Sequence, residues 1–170
     1  MDSPVEFSLT RTLDAPRELV WKAFTQADSL AQWWGPKGAR IKVLKLDMRV
    51  GGIFHYSMEF QPGQPMYGRF TYYEIVAPKR LVYVSSFADE SGEIVRAPFP
   101  QLRDSWPLEV LNTVRFTEES GRTTVSLRGH PINATEAEMK TYVGMFESMQ
   151  HGFGGTFDKL DTYLAQEKVA

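Results

Sequence analysis

The residues able to do chemistry are few: three histidines, no cysteine, and carboxylates scattered along strand-like stretches. A metal ion needs three or four His, Cys or carboxylate donors converging on one point. His55 is alone in its stretch, on the phase opposite Phe54, Tyr56 and Met58; His130 adjoins Pro131; His151 lies off the apolar stripe of the last helix. They read as solvated or locally bonded imidazoles, and no metal site is expected. Ser57 lies two residues from His55, but that strand face reads as solvent-directed, and a nucleophilic serine needs a base held by a third group. No Gly-x-Ser-x-Gly sequence occurs. Gly51-Gly52 and Gly154-Gly155 lack the strand–helix setting of a phosphate cradle, so they read as turn and packing features, and no cofactor is expected. Glu59, Asp47, Arg115 and Arg128 read as the wet face of a half-buried sheet.

A pocket is what remains. Phe54, Tyr56, Met58 and Phe60 share one strand face, and the same phase brings in Phe70 and Tyr72 from the next strand. Asn112, Val114 and Phe116 join them, with either Tyr83 and Phe87 or Val82 and Val84 facing inward between. A helix supplies Phe146, Met149 and Phe153. Apolar walls with a few polar tips are how small-molecule pockets orient a ligand, and the tips here are Tyr56, Tyr72 and Asn112. Packing alone would use the same residues, as an ordinary core.

The elements that must hold this face follow from periodicity. Thr135 to Gln166 carries apolar residues at Met139, Tyr142, Phe146, Met149, Phe153, Phe157, Leu160 and Leu164, in steps of three and four. That predicts one long helix, opened by a Thr135–Glu138 capping box and about 40 Å or more in length. Gly144, Gly152, Gly154 and Gly155 lie inside it, and an interior glycine costs a helix about 1 kcal/mol relative to alanine. The cluster around His151 and Phe153 predicts either a bend or a close approach by a strand, a loop or a ligand.

Upstream, Val5–Leu13 alternates as a strand, and Asp14 and Pro16 open a short helix with the proline in its first turn. Ser29 and Gln32 suggest a second capping box, for a very short helix ended by Gly35-Pro36. Strands follow from Arg40, with a bulge near Val43-Leu44, then from Ile53 after a Gly51-Gly52 turn, Met66–Val76, Leu81–Phe87, Val110–Phe116 and Thr123–Gly129. Glu119-Ser120-Gly121 reads as a hairpin, and Ala88–Leu108 as a long proline-punctuated loop. Consecutive strands with segregated helices mean an α+β fold with an antiparallel sheet of about seven strands.

The chain of 170 residues suits a single domain over 1–170, and a formal charge of -2 argues against a nucleic-acid partner. No stretch has the length of an apolar membrane span, and no secretory signal is visible, so a cytoplasmic protein with no membrane partner is expected.

Several segments together resemble a known family: Asp14-Ala15-Pro16 leading to Val20-Trp21, Trp33-Trp34-Gly35-Pro36, and Gly51-Gly52 before an aromatic strand. Gly68 with Tyr73-Glu74-Ile75, Pro78 to Tyr83, Trp106 to Asn112, Gly121 to Thr124, and Asp158 to Leu164 complete the set. The chain is similar to the SRPBCC, or START-like (Bet v 1-like), superfamily, in the bacterial branch related to the activator of the heat-shock protein 90 ATPase. The resemblance implies the helix-grip fold, in which a curved antiparallel sheet wraps a C-terminal helix and two short helices follow the first strand. It also implies a cavity between sheet and helix. The residues expected to line it are Trp34, Phe54, Tyr56, Met58, Phe70, Tyr72, Tyr83, Asn112, Val114, Phe146, Met149 and Phe153, with Phe99 and Trp106 at the mouth. Binding of a small apolar or aromatic molecule is the expected function, in a monomer or homodimer. The alternatives are a chaperone-regulating interaction module and a polyketide cyclase- or aromatase-like enzyme; fold alone does not separate them.

Overall fold

The computed structural model describes residues 5–169. Seven strands, β1 (Phe7–Leu13), β2 (Arg40–Leu46), β3 (Ile53–Glu59), β4 (Pro65–Val76), β5 (Arg80–Ala88), β6 (Val110–Glu119) and β7 (Arg122–Pro131), form one sheet. Their spatial order is β1-β7-β6-β5-β4-β3-β2, with every neighbouring pair antiparallel. Helices α1 (Arg17–Thr25) and α2 (Ala27–Trp33) connect the two edges, and α3 (Glu136–Gly144) and α4 (Phe146–Val169) close the chain. This is the helix-grip arrangement. Among the described residues no helix is long and apolar enough to cross a membrane.

Register explains which side chains meet. Phe54 faces Phe70, Tyr72 faces Tyr83, Tyr83 faces Asn112, and Val114 faces Leu127, so alternate residues of five strands turn to one side. The expected bulge sits in β2, where the pairing shifts between Val43 and Lys45. Ser120 and Gly121, both at positive φ, make the β6–β7 hairpin, as a two-residue turn matching the sheet's twist requires.

Four expectations are corrected. The single long helix is two, because the backbone leaves helical geometry at Met145 (φ -98°, ψ 3°). The apolar stripe runs on through Tyr142, Phe146 and Met149, so periodicity carries no trace of the break; Gly144, a weak helix former, precedes it. Helix α2 begins after Gln26 with no side-chain cap, and Ser29 is buried, its hydroxyl bonded to that of Tyr163 at 2.8 Å instead. Pro16 caps α1 from outside rather than entering its first turn. Phe60 lies beyond the end of β3 and is exposed.

The Thr135–Glu138 capping box is present, with both reciprocal hydrogen bonds. Glu138 is buried and also accepts from Arg96 at 2.6 Å, while the same Arg96 nitrogen donates to the Trp106 carbonyl at 3.3 Å. One carboxylate thus ties the long loop to the start of α3. The Thr135 N–H and then the Arg96 guanidinium hold this carboxyl below its ordinary value of 4.5. A depressed carboxylate contributes stability above its ordinary value and loses it as pH falls through the folded one. Glu138→Gln should therefore cost about 1–2 kcal/mol at neutral pH, the worth of a charged hydrogen bond. It should also flatten the fall of the urea midpoint between pH 7 and 3.

Candidate functional site

Helix α4 divides into halves with different surroundings. Its second half packs closely: Phe157, Leu160 and Leu164 are buried against the core, and Phe157 stacks on Trp33 with ring centres 6.4 Å apart. Its first half leaves space. Two adjoining hollows, both open to solvent, lie between it and the sheet: one of about 210 Å³ reaching toward β5 and β6, here the inner, and one of about 220 Å³ beside the Trp34–Pro36 loop, here the outer. The inner one is walled by Phe7, Phe87, Trp106, Val110, Asn112 and Tyr142; the outer by Trp34, Gly35, Pro36, Gly152 and Thr156. Tyr56, Met58, Met149 and Phe153 border both and form the partition. Either hollow alone falls below the range of about 300–1,000 Å³ usual for ligand pockets; joined, they enter it. A larger hollow of about 360 Å³, between Gln32, Lys37 and the far face of α4, is a polar surface groove.

Tyr56 stands where it does because its cross-strand partner is Gly68. A β-carbon on Gly68 would come within 2.4 Å of the Tyr56 ring and hydroxyl. The missing side chain lets the ring lie flat across β4, against Phe54 at 4.9 Å and edge-on to Trp34 at 6.2 Å. Burial pushes the Tyr56 phenol up from its ordinary value, with Trp34 pulling the other way.

A second close approach builds the polar end of the inner hollow. Asn112 donates from Nδ2 to Ser85 Oγ and to the Val110 carbonyl, both at 3.0 Å. A β-carbon on its partner Gly129 would lie 2.7 Å from Asn112 Oδ1 and 3.0 Å from the Tyr142 hydroxyl. Glycine there lets both oxygens gather over β7. Burial raises the Tyr142 phenol, and the Glu6 charge adds to the effect, so the group stays a protonated donor.

The surface wall is latched. Lys159 on α4 donates to the carbonyls of Trp34 (3.3 Å), Gly35 (3.1 Å) and Pro36 (3.4 Å), and burial lowers its amine below the ordinary value. The glycine-rich stretch of α4 lies beside this loop and stays helical. A β-carbon at Gly155 would meet the Lys37 stem at 3.3 Å, while one at Gly152 or Gly154 meets nothing within 4 Å. A crossing loop accounts for Gly155, and Gly152 opens onto the outer hollow.

Of the residues expected around a cavity, Trp34, Tyr56, Met58, Asn112, Met149 and Phe153 border the hollows, as does Trp106. Phe54, Phe70, Tyr72, Tyr83 and Val114 are buried in the packed core behind them, Phe70 stacked on Tyr83 at 4.0 Å. Phe146 packs edge-on to Phe7 and Tyr142. Phe99 rests on Phe87, 6.0 Å between ring centres, outside the lining. Sequence reasoning did not propose Phe7, Ser85 or Tyr142 as lining residues. Phase could have found Ser85, which lies between Tyr83 and Phe87 on their face, and the helical stripe contains Tyr142.

His55 and Ser57 are buried, contrary to the expectation of a solvent-directed face. The segment after β5 folds back over β3, where His55 Nε2 lies 3.0 Å from the Asp89 carbonyl and Gly92 covers its ring. The histidine is therefore locally bonded. Among the described residues no three His, Cys or carboxylate groups gather as a metal site would need. The lining of the two hollows likewise holds no carboxylate, amine or imidazole.

The family model described as Activator of Hsp90 ATPase homolog 1-like protein matches residues 14–165. Solved structures of similar shape include a protein from Arthrobacter aurescens, 25% identical with a TM-score of 0.78 over 96% of this chain and 87% of that one. Another, from Staphylococcus epidermidis, is 25% identical with a TM-score of 0.75 over 98% and 93% of the two chains. A third, from Nitrosomonas europaea, is 24% identical with a TM-score of 0.76 over the whole of both. No curated protein matches the sequence.

Proposed function

This chain belongs to the Activator of Hsp90 ATPase homolog 1-like family, and from that premise we propose that it binds a small, neutral, apolar or aromatic molecule between the sheet and the first half of α4. The observation that carries this reading is the character of the lining. It is aromatic and methionine-rich, and no charged side chain is present to compensate a buried charge. An ion there would lose its hydration with nothing to replace it, whereas an apolar molecule gains by leaving water. Met58 and Met149, in the partition, are the residue type best suited to yielding to an irregular guest. Partition movement would join the hollows into a space of ordinary pocket size.

Native mass spectrometry of the purified protein, with and without added neutral aromatics, tests this. The expected result is a stoichiometric small-molecule adduct. Chemical-shift changes on adding the aromatic should centre on Tyr56, Met149 and Phe153. Absence of any adduct with a panel of neutral apolar compounds would overturn it. Stimulation of a heat-shock protein 90 ATPase by a protein that takes up no small molecule would assign the interaction role in its place.

A further inference from the structure

Within that cleft, and resting on the ligand-binding reading, we propose that the inner hollow takes a single aromatic ring bearing a hydroxyl, a phenol or closely similar neutral aromatic alcohol. The hydroxyl would bind at Asn112 and Tyr142. The size is the first observation. An apolar cavity of about 150 Å³ is enough for benzene, and the inner hollow is about 210 Å³. Its walls include Phe7, Phe87, Trp106 and Phe153, which suit the face and edge contacts of a ring.

The second observation is the state of two buried polar side chains at its end. Asn112 is 9% exposed and Tyr142 1%. The Val110 carbonyl can only accept, so its bond fixes which end of the Asn112 amide carries the hydrogens. Oδ1 must then be the atom over Gly129, and it accepts no hydrogen bond from a described side chain. The Tyr142 hydroxyl, within 3.0 Å of the same Gly129 β-carbon position, also has no hydrogen-bond partner among the described side chains, although its neighbours Trp106 and Phe146 hold the ring in place. An acceptor and a protonated donor, both in the lining, thus lie together over Gly129 at the end of an aromatic hollow. A guest hydroxyl satisfies both, donating to Asn112 Oδ1 and accepting from Tyr142. A hydrocarbon would cover both groups without bonding either, and leaving covered polar groups unmatched is where selectivity arises.

Titration of the protein with phenol and with toluene, followed by chemical shifts of the lining residues, tests the assignment. Phenol should bind on the order of tenfold more tightly than toluene, the worth of one or two hydrogen bonds. Tyr142→Phe should reduce that preference several-fold, leaving only the share carried by the bond to Asn112. Its fold should be intact, since only an oxygen that no described side chain bonds is removed, and unchanged amide spectra away from the hollow would show it. Equal binding of phenol and toluene by the unmodified protein overturns the hydroxyl assignment while leaving the apolar cleft standing. A phenol preference undiminished by Tyr142→Phe overturns it as well. Binding of neither compound overturns both the assignment and the ligand-binding reading beneath it.

Discussion

Trp33→Ala is expected to lower the unfolding free energy by about 3–5 kcal/mol, the range for deleting a large buried aromatic. Trp33 is fully buried, lies 4.7 Å from Phe24, meets Trp34 edge-on at 5.6 Å and stacks on Phe157. Its indole N–H donates to the Ala23 carbonyl at 2.9 Å. Three elements meet at this side chain: α1 through Phe24, α2 through its own backbone, and α4 through Phe157. Truncation leaves a cavity that these elements cannot collapse into without moving apart, and it strips a buried carbonyl of its donor. Domains of this kind have about 5–15 kcal/mol in all, so the variant should sit near the edge of folding at 37 °C. Urea denaturation checks the figure. Trp33→Phe should lose much less, because the ring stack survives and only part of the volume and the hydrogen bond are lost. A loss below about 1 kcal/mol for Trp33→Ala would mean the α1–α2–α4 junction is not the firm end of the domain.

Gly68→Ala should weaken uptake of an aromatic probe roughly ten- to a hundredfold, although alanine is apolar and small. The backbone at Gly68 is not in the left-handed region, so a side chain is not refused on conformational grounds. The collision is with Tyr56, whose ring and hydroxyl would sit 2.4 Å from the new β-carbon. The ring must lift off β4, and the free space beside it is the cleft it now partitions. Overpacking of this kind costs about 1–3 kcal/mol, and a ligand would have to push the ring back against that cost, which sets the affinity loss. Combining the change with Tyr56→Leu should restore much of the stability and reopen the space. Probe titration and denaturation of both variants give the two numbers. An unchanged affinity in Gly68→Ala would show that Tyr56 does not border the bound molecule.

Much of the architecture was legible because its signals are local. The alternation in β3, the bulge in β2, the hairpin at Ser120-Gly121 and the capping box at Thr135 each follow from residues within a few positions of one another. Boundaries failed where a distant contact outweighed the local signal. Ser29 has the right spacing for a cap, yet its hydroxyl is bonded to Tyr163 from the far end of the chain. His55 reads as exposed by phase, yet the segment around Asp89 and Gly92 folds back over it.

By itself the sequence determined the fold class, most of the inward face of β3, β4 and β6, and the helical stripe that lies over it. Period and phase are properties of successive residues, and burial follows from them. Which of those inward residues pack and which leave room was decided only in three dimensions. Phe54, Phe70 and Tyr83 have the same phase as Tyr56 and Asn112, yet the first three fill the core and the last two edge a hollow. The difference arises across strands, where Gly68 and Gly129 lie opposite Tyr56 and Asn112 and let backbone and side chain come close. It arises also at Met145, where the helix breaks and α3 carries Tyr142 to the end of the inner space. Volume left between two surfaces depends on both of them at once, and no periodicity within either strand or helix can encode it.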